Sequence, residues 1–316
     1  MSEAAAIILL FPGQGSQKPG MAKDLVAAFP AARTAFEAVD QAIGAPIGRI
    51  AFEGPEETLT STQNAQPALL AHGAAVWAVV RDRAAPRVRA AAGHSLGEFT
   101  AHLAAGAIDL PDAARLVRRR GELMYESGVQ RPGAMAAVLG LGEALVEDAC
   151  RRASSNGSQV VPANYNAPDQ LVISGEVGAV ERAMALAKDA GAKRVVRLKV
   201  SGAFHSPLME VAAPGLHRAL GEVTFRDGSF PVYSNVSARA VTQPDAAKRL
   251  LVEQLSAPVR WTALVQNLAA DYPGALFVEL GPGNVLSNLV RRIVPGARTA
   301  ACGTAAEVEQ LLSALA

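Results

Sequence analysis

The chain has 316 residues, 50% hydrophobic and 19% charged, a balance that fits a folded core and excludes both disorder and a coiled coil. Lys and Arg number 30 against 29 Asp and Glu, so the formal net charge is +1 and no global field exists to hold a nucleic-acid backbone. At this length one large domain or two unequal ones fit, because single cores stop growing at roughly 250 to 300 residues.

The first predicted element is a buried strand over 4–11, running into the tight loop Pro12-Gly13-Gln14-Gly15-Ser16-Gln17. Glu3 stands where a secretory signal needs a basic region, so no signal peptide is expected. Helical spacing then predicts helices over 21–42 and 67–81. The apolar stretch 67–80 is broken by His72 and Gly73 and is shorter than the roughly 18 to 20 residues that span a bilayer, so no membrane crossing is expected. A short strand at 88–92 ends on Gly93, and helices follow over 96–107 and 111–125, the second with Asp109 as its predicted cap. Strands alternating with helices predict a parallel sheet.

From about 132 the texture changes. Strand 134–139, helix 143–153, strands 159–163 and 171–174, helix 177–190 and strand 194–200 follow the order of a split βαβ, ferredoxin-like unit. The predicted fold is therefore α/β. A large α/β-hydrolase-like domain with a parallel sheet, residues 1–130 and 200–316, carries an inserted small ferredoxin-like (βαββαβ) domain over 131–199. Beyond 200, strands are predicted at 231–235 and 276–280 with helices between and after them, and 242–245 reads only as a turn. No internal repeat or low-complexity segment occurs. Two cysteines, Cys150 and Cys302, fit a reducing compartment and a cytoplasmic location, where the Asn156-Gly-Ser and Asn235-Val-Ser matches to the glycosylation pattern arise by chance.

Gly93-His94-Ser95-Leu96-Gly97 fits G-x-S-x-G between a predicted strand and a predicted helix, the context in which this motif presents a nucleophile. Its glycines remove β-carbons from a sharp turn, and the helix start supplies free N–H groups for a developing oxyanion. The alternative is an ordinary helix cap with Ser95 bonded locally. Among five histidines, His72 sits in an apolar helix and reads as a core residue. His102 lies two turns beyond Ser95, His217 reads as solvated, and His94 reads as a support of the turn. Elimination leaves His205, in the post-strand loop Ser201-Gly202-Ala203-Phe204-His205-Ser206-Pro207, as the general base.

Within helix 111–125, Arg120 shares the apolar stripe of Leu116, Val117 and Met124, whereas Arg118 and Arg119 turn outward. A buried guanidinium needs an anion. The sequence leaves open whether that is a protein Asp or Glu or a substrate carboxylate. A serine nucleophile beside such a cation suits transfer of an acyl group bearing a free carboxylate, such as malonyl.

Taken together, Gly13-Gln14-Gly15-Ser16-Gln17, Gly93-His94-Ser95-Leu96-Gly97-Glu98, Arg120-Gly121 and Gly202-Ala203-Phe204-His205-Ser206 resemble the malonyl-CoA:acyl carrier protein transacylase family. Asn164-Tyr165-Asn166, Gln254-Leu255, Pro258-Val259-Arg260-Trp261 and Glu279-Leu280-Gly281-Pro282-Gly283 extend the resemblance over nearly the whole chain. It implies a ping-pong transfer. Ser95 and His205 would be catalytic, the main-chain N–H groups of Gln14 and Leu96 would form an oxyanion hole, and Arg120 would clamp the malonyl carboxylate. Met124, Phe204 and Asn166 would line the substrate site, and the main-chain carbonyl of Gln254 would orient His205. Phe204 would exclude an α-methyl group.

The implied partners are malonyl-CoA and an acyl carrier protein whose phosphopantetheine thiol accepts the acyl group, in fatty-acid synthesis or on a polyketide carrier. No cofactor and no metal are expected of the enzyme itself, and a monomer is expected. Ala167 and Asp169 after Asn166, and Lys18, depart from the commonest family pattern. Arg291 and Arg292 are candidates for meeting an acidic carrier. An α/β-hydrolase-type esterase or thioesterase shares the serine turn, but this chain has no HGGG loop. A non-catalytic carrier-binding module does not need the Ser, His and Arg set. Nucleotide binding fails because Lys18 stands where the dinucleotide fingerprint needs Gly and no P-loop occurs.

Overall fold

A computed structural model of the chain describes residues 6–155 and 157–316; positions 4 and 5 of the first predicted strand, and Asn156, lie outside them. Strands β1 (Ile7–Phe11) and β2 (Val88–Gly93) pair in parallel. β3 (Gly133–Leu139), β4 (Val160–Ala167), β5 (Gln170–Glu176) and β6 (Arg194–Arg197) form a second, antiparallel sheet. β7 (Val232–Tyr233), β8 (Ala240–Val241), β9 (Leu276–Leu280) and β10 (Arg298–Cys302) complete the first.

The first sheet has the order β10-β9-β1-β2-β7-β8 and is parallel except for β8, which runs against β7. All five residues of central β1 are buried. Ile7, Leu9 and Phe11 pack with the Pro30–Ile43, Thr62–Ala84 and Leu110–Gln130 helices on one face. Ile8 and Leu10 pack with Trp261, Leu264 and Leu289 on the other. A strand covered on both faces has no solvent side, so its sequence reads as a continuous apolar run instead of an alternation.

The second sheet has the order β4-β5-β3-β6, with the Glu143–Ala153 and Val177–Asp189 helices over one face. The pleat sends Ala136, Val138, Leu171 and Ile173 toward those helices and Met135 and Val172 to the opposite side, into the main core. The element order and pairing are those of a ferredoxin-like unit.

Several local expectations change. The helix predicted over 21–42 is two, Lys23–Ala28 and Pro30–Ile43, because Pro30 forces Phe29 into extended backbone and starts a new helix. Pro67 lies inside the Thr62–Ala84 helix, and the Gln63 carbonyl that it cannot engage accepts instead from Arg118 Nη1 at 3.1 Å. Arg118 thus turns away from the apolar stripe but onto a neighbouring helix. Asp109 precedes the Leu110–Gln130 helix without capping it; its carboxylate pairs with Arg226 at 2.8 and 2.9 Å.

Residues 242–245 are more than a turn, since the Pro244–Glu253 helix begins there with Pro at its first position. β10 was absent from the sequence expectation: Arg-Thr-Ala-Ala-Cys carries no strand-like alternation, and its pairing with β9 alone makes it extended. The strand expected over 194–200 stops at Arg197. Among the described residues no helix is long and apolar enough to cross a membrane.

Candidate active site

β2 ends on Gly93 and the next helix starts at Gly97, so Ser95 sits on the turn between them with φ 51°, the left-handed region. A β-carbon on Gly97 would lie 2.0 Å from the carbonyl oxygen of Phe11, and one on Gly93 would lie 1.8 Å from the carbonyl carbon of Gly97. The turn therefore packs directly on the end of β1, and only glycine fits on either side of Ser95. A left-handed non-glycine residue costs about 1 kcal/mol or more and must be held by its surroundings. Here the buried Asn235 holds it: its Oδ1 accepts from the Ser95 N–H at 2.7 Å and its Nδ2 donates to the Gly93 carbonyl at 2.7 Å. An Asn buried in this way cannot be a glycosylation site.

The loop after β6 brings His205 to this turn. Its Nε2 is 2.8 Å from Ser95 Oγ, and its Nδ1 is 2.8 Å from the main-chain oxygen of Gln254. A carbonyl can only accept, so Nδ1 carries the proton and Nε2 presents its lone pair to the Ser95 hydroxyl. Burial first, and the charge of Arg120 second, push the His205 pKa down to about 3, which keeps the ring neutral. His205 is also left-handed, at φ 57°.

Arg120 projects inward, as its spacing predicts, and is buried. Its Nη1 donates to Gln66 Oε1 at 2.8 Å, and its Nη2 donates to Gln254 Oε1 at 2.8 Å and to Ser95 Oγ at 3.1 Å. Phe99 lies under the guanidinium, 5.6 Å from its ring centre. Every one of these partners is neutral, and Nε meets none among the described residues. No Asp or Glu pairs directly with Arg120 among the described residues, so the direct salt bridge that the sequence allowed is not formed. Burial lowers its pKa to about 10, with the charge of Glu98 opposing, so it remains cationic at neutral pH.

These groups open onto a cleft of about 350 Å³ lined on one side by Gln14, Ser95, Leu96, Arg120 and Met124, and on the other by Met135 and Val172 of the second sheet. The main-chain N–H groups of Gln14 and Leu96 meet no protein acceptor among the described residues, so both are free for a ligand. Phe204 lines the cleft, as does Asn166, whose Oδ1 accepts from His94 Nε2 at 2.8 Å. His94 thus braces the turn from the side, its ring tilted against Trp261 with centroids 5.5 Å apart, and does not reach Ser95's hydroxyl as a base. Met124 offers its sulfur to Gln66 Nε2 at 3.3 Å.

The other histidines stay outside this site. His72 is buried and bonded to the Gly303 carbonyl, His102 is buried against Phe225, and His217 is exposed. Arg292 is engaged by Asp169 and Gln170, and Arg291 by Thr299 and Asn288, so neither reaches out as a free cation. The departure at Asp169 thereby becomes a tie between the Val285–Ile293 helix and the β4–β5 turn. Gln66, Glu98, Asn235 and Lys199 were not singled out as site residues. Glu98 and Asn235 are buried polar side chains in predicted elements, a burial that no local pattern reveals.

An acyl transferase domain family model matches residues 8–309. The chain is 42% identical over 310 residues to the malonyl CoA-acyl carrier protein transacylase of Bacillus subtilis, covering 98% of this chain and 97% of that protein. It is 43% identical over 285 residues to that of Escherichia coli K12, covering 90% and 92%. Among solved structures, an acyl-carrier-protein-S-malonyltransferase from Bartonella henselae superposes with a TM-score of 0.93 at 42% identity, covering 98% and 99%. A malonyl-transacylase in complex with a type II PKS acyl-carrier protein does so with 0.93 at 40% identity, covering 98% and 100%. The chain is an acyltransferase and belongs to the acyl transferase domain family, among relatives named malonyl CoA-acyl carrier protein transacylase.

Proposed function

We propose that this chain transfers the malonyl group from malonyl-CoA, through an ester on Ser95, to the phosphopantetheine thiol of an acyl carrier protein. The observation that carries this reading is the buried Arg120 cation, 3.1 Å from Ser95 Oγ and held only by neutral acceptors. A carboxylate two carbons from an attacked carbonyl satisfies that charge and is selected by it.

In the first half-reaction Ser95 Oγ attacks the thioester carbonyl carbon while its proton passes to His205 Nε2. The carbonyl oxygen takes up the negative charge between the Gln14 and Leu96 N–H groups, each such donor being worth roughly 10² to 10³ in rate. The intermediate then collapses, the carbon–sulfur bond breaks, and CoA leaves with the proton from His205. In the second half the carrier's thiol gives its proton to His205 and attacks the ester, and Ser95 Oγ recovers a proton as it leaves. The substrate carboxylate also neutralises Arg120, whose charge, second to burial, holds the base's pKa down, so the base strengthens when the right acyl group is bound.

We assign the carrier to fatty-acid synthesis. A polyketide carrier is the second reading, favoured by the similarity to a transacylase solved with a type II PKS acyl-carrier protein. We also take residues 131–199 as a small domain inserted between 1–130 and 200–316, supported by the second sheet and its two helices all falling between Gly133 and Arg197. Two buried free cysteines support a cytoplasmic setting.

Intact-protein mass spectrometry after brief exposure to malonyl-CoA tests the reading. Wild type should gain one malonyl group and Ser95→Ala none. A labelled Ser95→Ala protein, or no label on wild type, overturns it. Transfer rates to fatty-acid and polyketide carriers, compared side by side, decide between the two acceptors.

A further inference from the structure

The carboxylate of Glu98, second residue of the Gly97–Ala104 helix, is fully enclosed although nothing in the acyl transfer above uses it. Its Oε2 accepts from Gln254 Nε2 at 2.7 Å and from the Asn235 N–H at 3.0 Å. The same Gln254 side chain turns its carbonyl oxygen to Arg120 Nη2 at 2.8 Å, and its Nε2 also reaches the Ser95 carbonyl at 3.0 Å. One amide therefore stands between a buried carboxyl group and a buried cation, its NH₂ toward the Glu98 oxygen and its carbonyl toward the guanidinium. Turned over, it would set an NH₂ group against the guanidinium and an oxygen against the carboxyl oxygens, both repulsive between buried groups.

We propose that Glu98 is a positioning residue for acyl selection: by fixing the Gln254 amide it aims Arg120 into the cleft. The placement has a physical logic. A carboxylate bonded directly to Arg120 would compete with the carboxylate of the incoming acyl group, whereas no counter-charge at all would leave the buried cation at full desolvation cost. Interposing a neutral amide keeps the Glu98 carboxyl off the guanidinium, near enough to be felt and not to compete, and leaves the guanidinium's open edge free for substrate. The inference rests on the malonyl reading above.

The test moves the charge without changing its amount. The double variant Glu98→Gln with Gln254→Glu keeps the same atoms' count of charge and nearly the same volume, but places the anion directly on Arg120. The readout is the ratio of kcat/KM for malonyl-CoA to that for acetyl-CoA, which does not depend on how much of the enzyme is folded. It should fall about 100-fold in the double variant, because the substrate carboxylate must now displace a bonded one. In the isosteric single variant Glu98→Gln it should fall about tenfold, through loss of the amide's orientation. A ratio within threefold of wild type in Glu98→Gln overturns the inference whatever the absolute rates, and if the double variant does not fold, the single variant decides. Wild type showing no preference for malonyl would instead overturn the malonyl reading itself.

Discussion

The guanidinium Nη2 of Arg120 donates a hydrogen bond of 3.1 Å to the hydroxyl oxygen of Ser95, whose own proton points to His205 at 2.8 Å. In the proposed transfer, selection and chemistry thus meet on one oxygen atom, since a substrate carboxylate bound to Arg120 would bring its acyl carbonyl beside Ser95.

Arg120→Ala should lower kcat/KM for malonyl-CoA by at least about 100-fold, the scale of losing a buried charge partner. Acetyl-CoA, which has no carboxylate to offer, should lose far less. Steady-state kinetics with the two thioesters side by side make the comparison. Equal losses for both would mean that Arg120 only supports the Ser95 turn.

Asn235→Ala removes both hydrogen bonds that hold the left-handed Ser95 and leaves the Gly93 carbonyl unpaired in the core. The expected loss is about 2 to 4 kcal/mol of stability, with slower acylation even at temperatures where the variant is folded. Denaturant unfolding and single-turnover acylation measure the two effects. An unchanged acylation rate in folded Asn235→Ala would separate the clamp from the chemistry.

Four histidines are held neutral by burial: His205 with its pKa near 3, His72 and His102 near 4, and His94 lowered. A group whose folded pKa lies below its unfolded value contributes stability above the unfolded value, here 6.5, and loses it as pH falls toward the folded one. Glu98, raised to about 7 by burial against Gln254, Asn235 and Ser234 donors and the Arg120 charge, acts oppositely and relieves its cost between about pH 7 and 4.5. Glu279 and Asp40, also raised by burial, act with Glu98, but the four histidines outnumber these three carboxyl groups, so the thermal midpoint should fall as pH is lowered from 6.5 toward 4. Acylation by folded enzyme should show no histidine limb at 6.5. Calorimetry and pre-steady-state kinetics across pH 4 to 8 check both statements.

With Arg291 and Arg292 engaged by neighbouring side chains, Lys199 is an exposed cation on the wall of the cleft. Lys199→Glu should raise KM for an acidic holo-carrier several-fold at low salt, with the difference shrinking as salt is added. A salt-independent effect would point to packing and not to charge.

How much of this was legible depended on distance along the chain. The serine turn could be read because its requirements are local: two glycines, a strand before and a helix after, all within five residues. Arg120 could be read as inward because helical spacing alone sets which face a residue shares. The central strand was legible from its unbroken apolar run, and the small unit from the order of its six elements. β10 was not, since Thr-Ala-Ala carries no strand signal and only pairing with β9 extends it.

The sequence by itself determined the candidate site residue types, the turn that presents Ser95 and the inward arginine, which follow from spacing within one element, and the class of fold, which follows from the order of elements. Only the tertiary structure decided what those residues touch. That Asn235 clamps a turn 140 positions earlier, that Gln254 serves His205 with its main chain and Arg120 with its side chain, and that Glu98 stands behind both are contacts between elements far apart in the chain. Burial and charge balance arise only when those elements close on one another, and no local pattern encodes which buried polar group will face which.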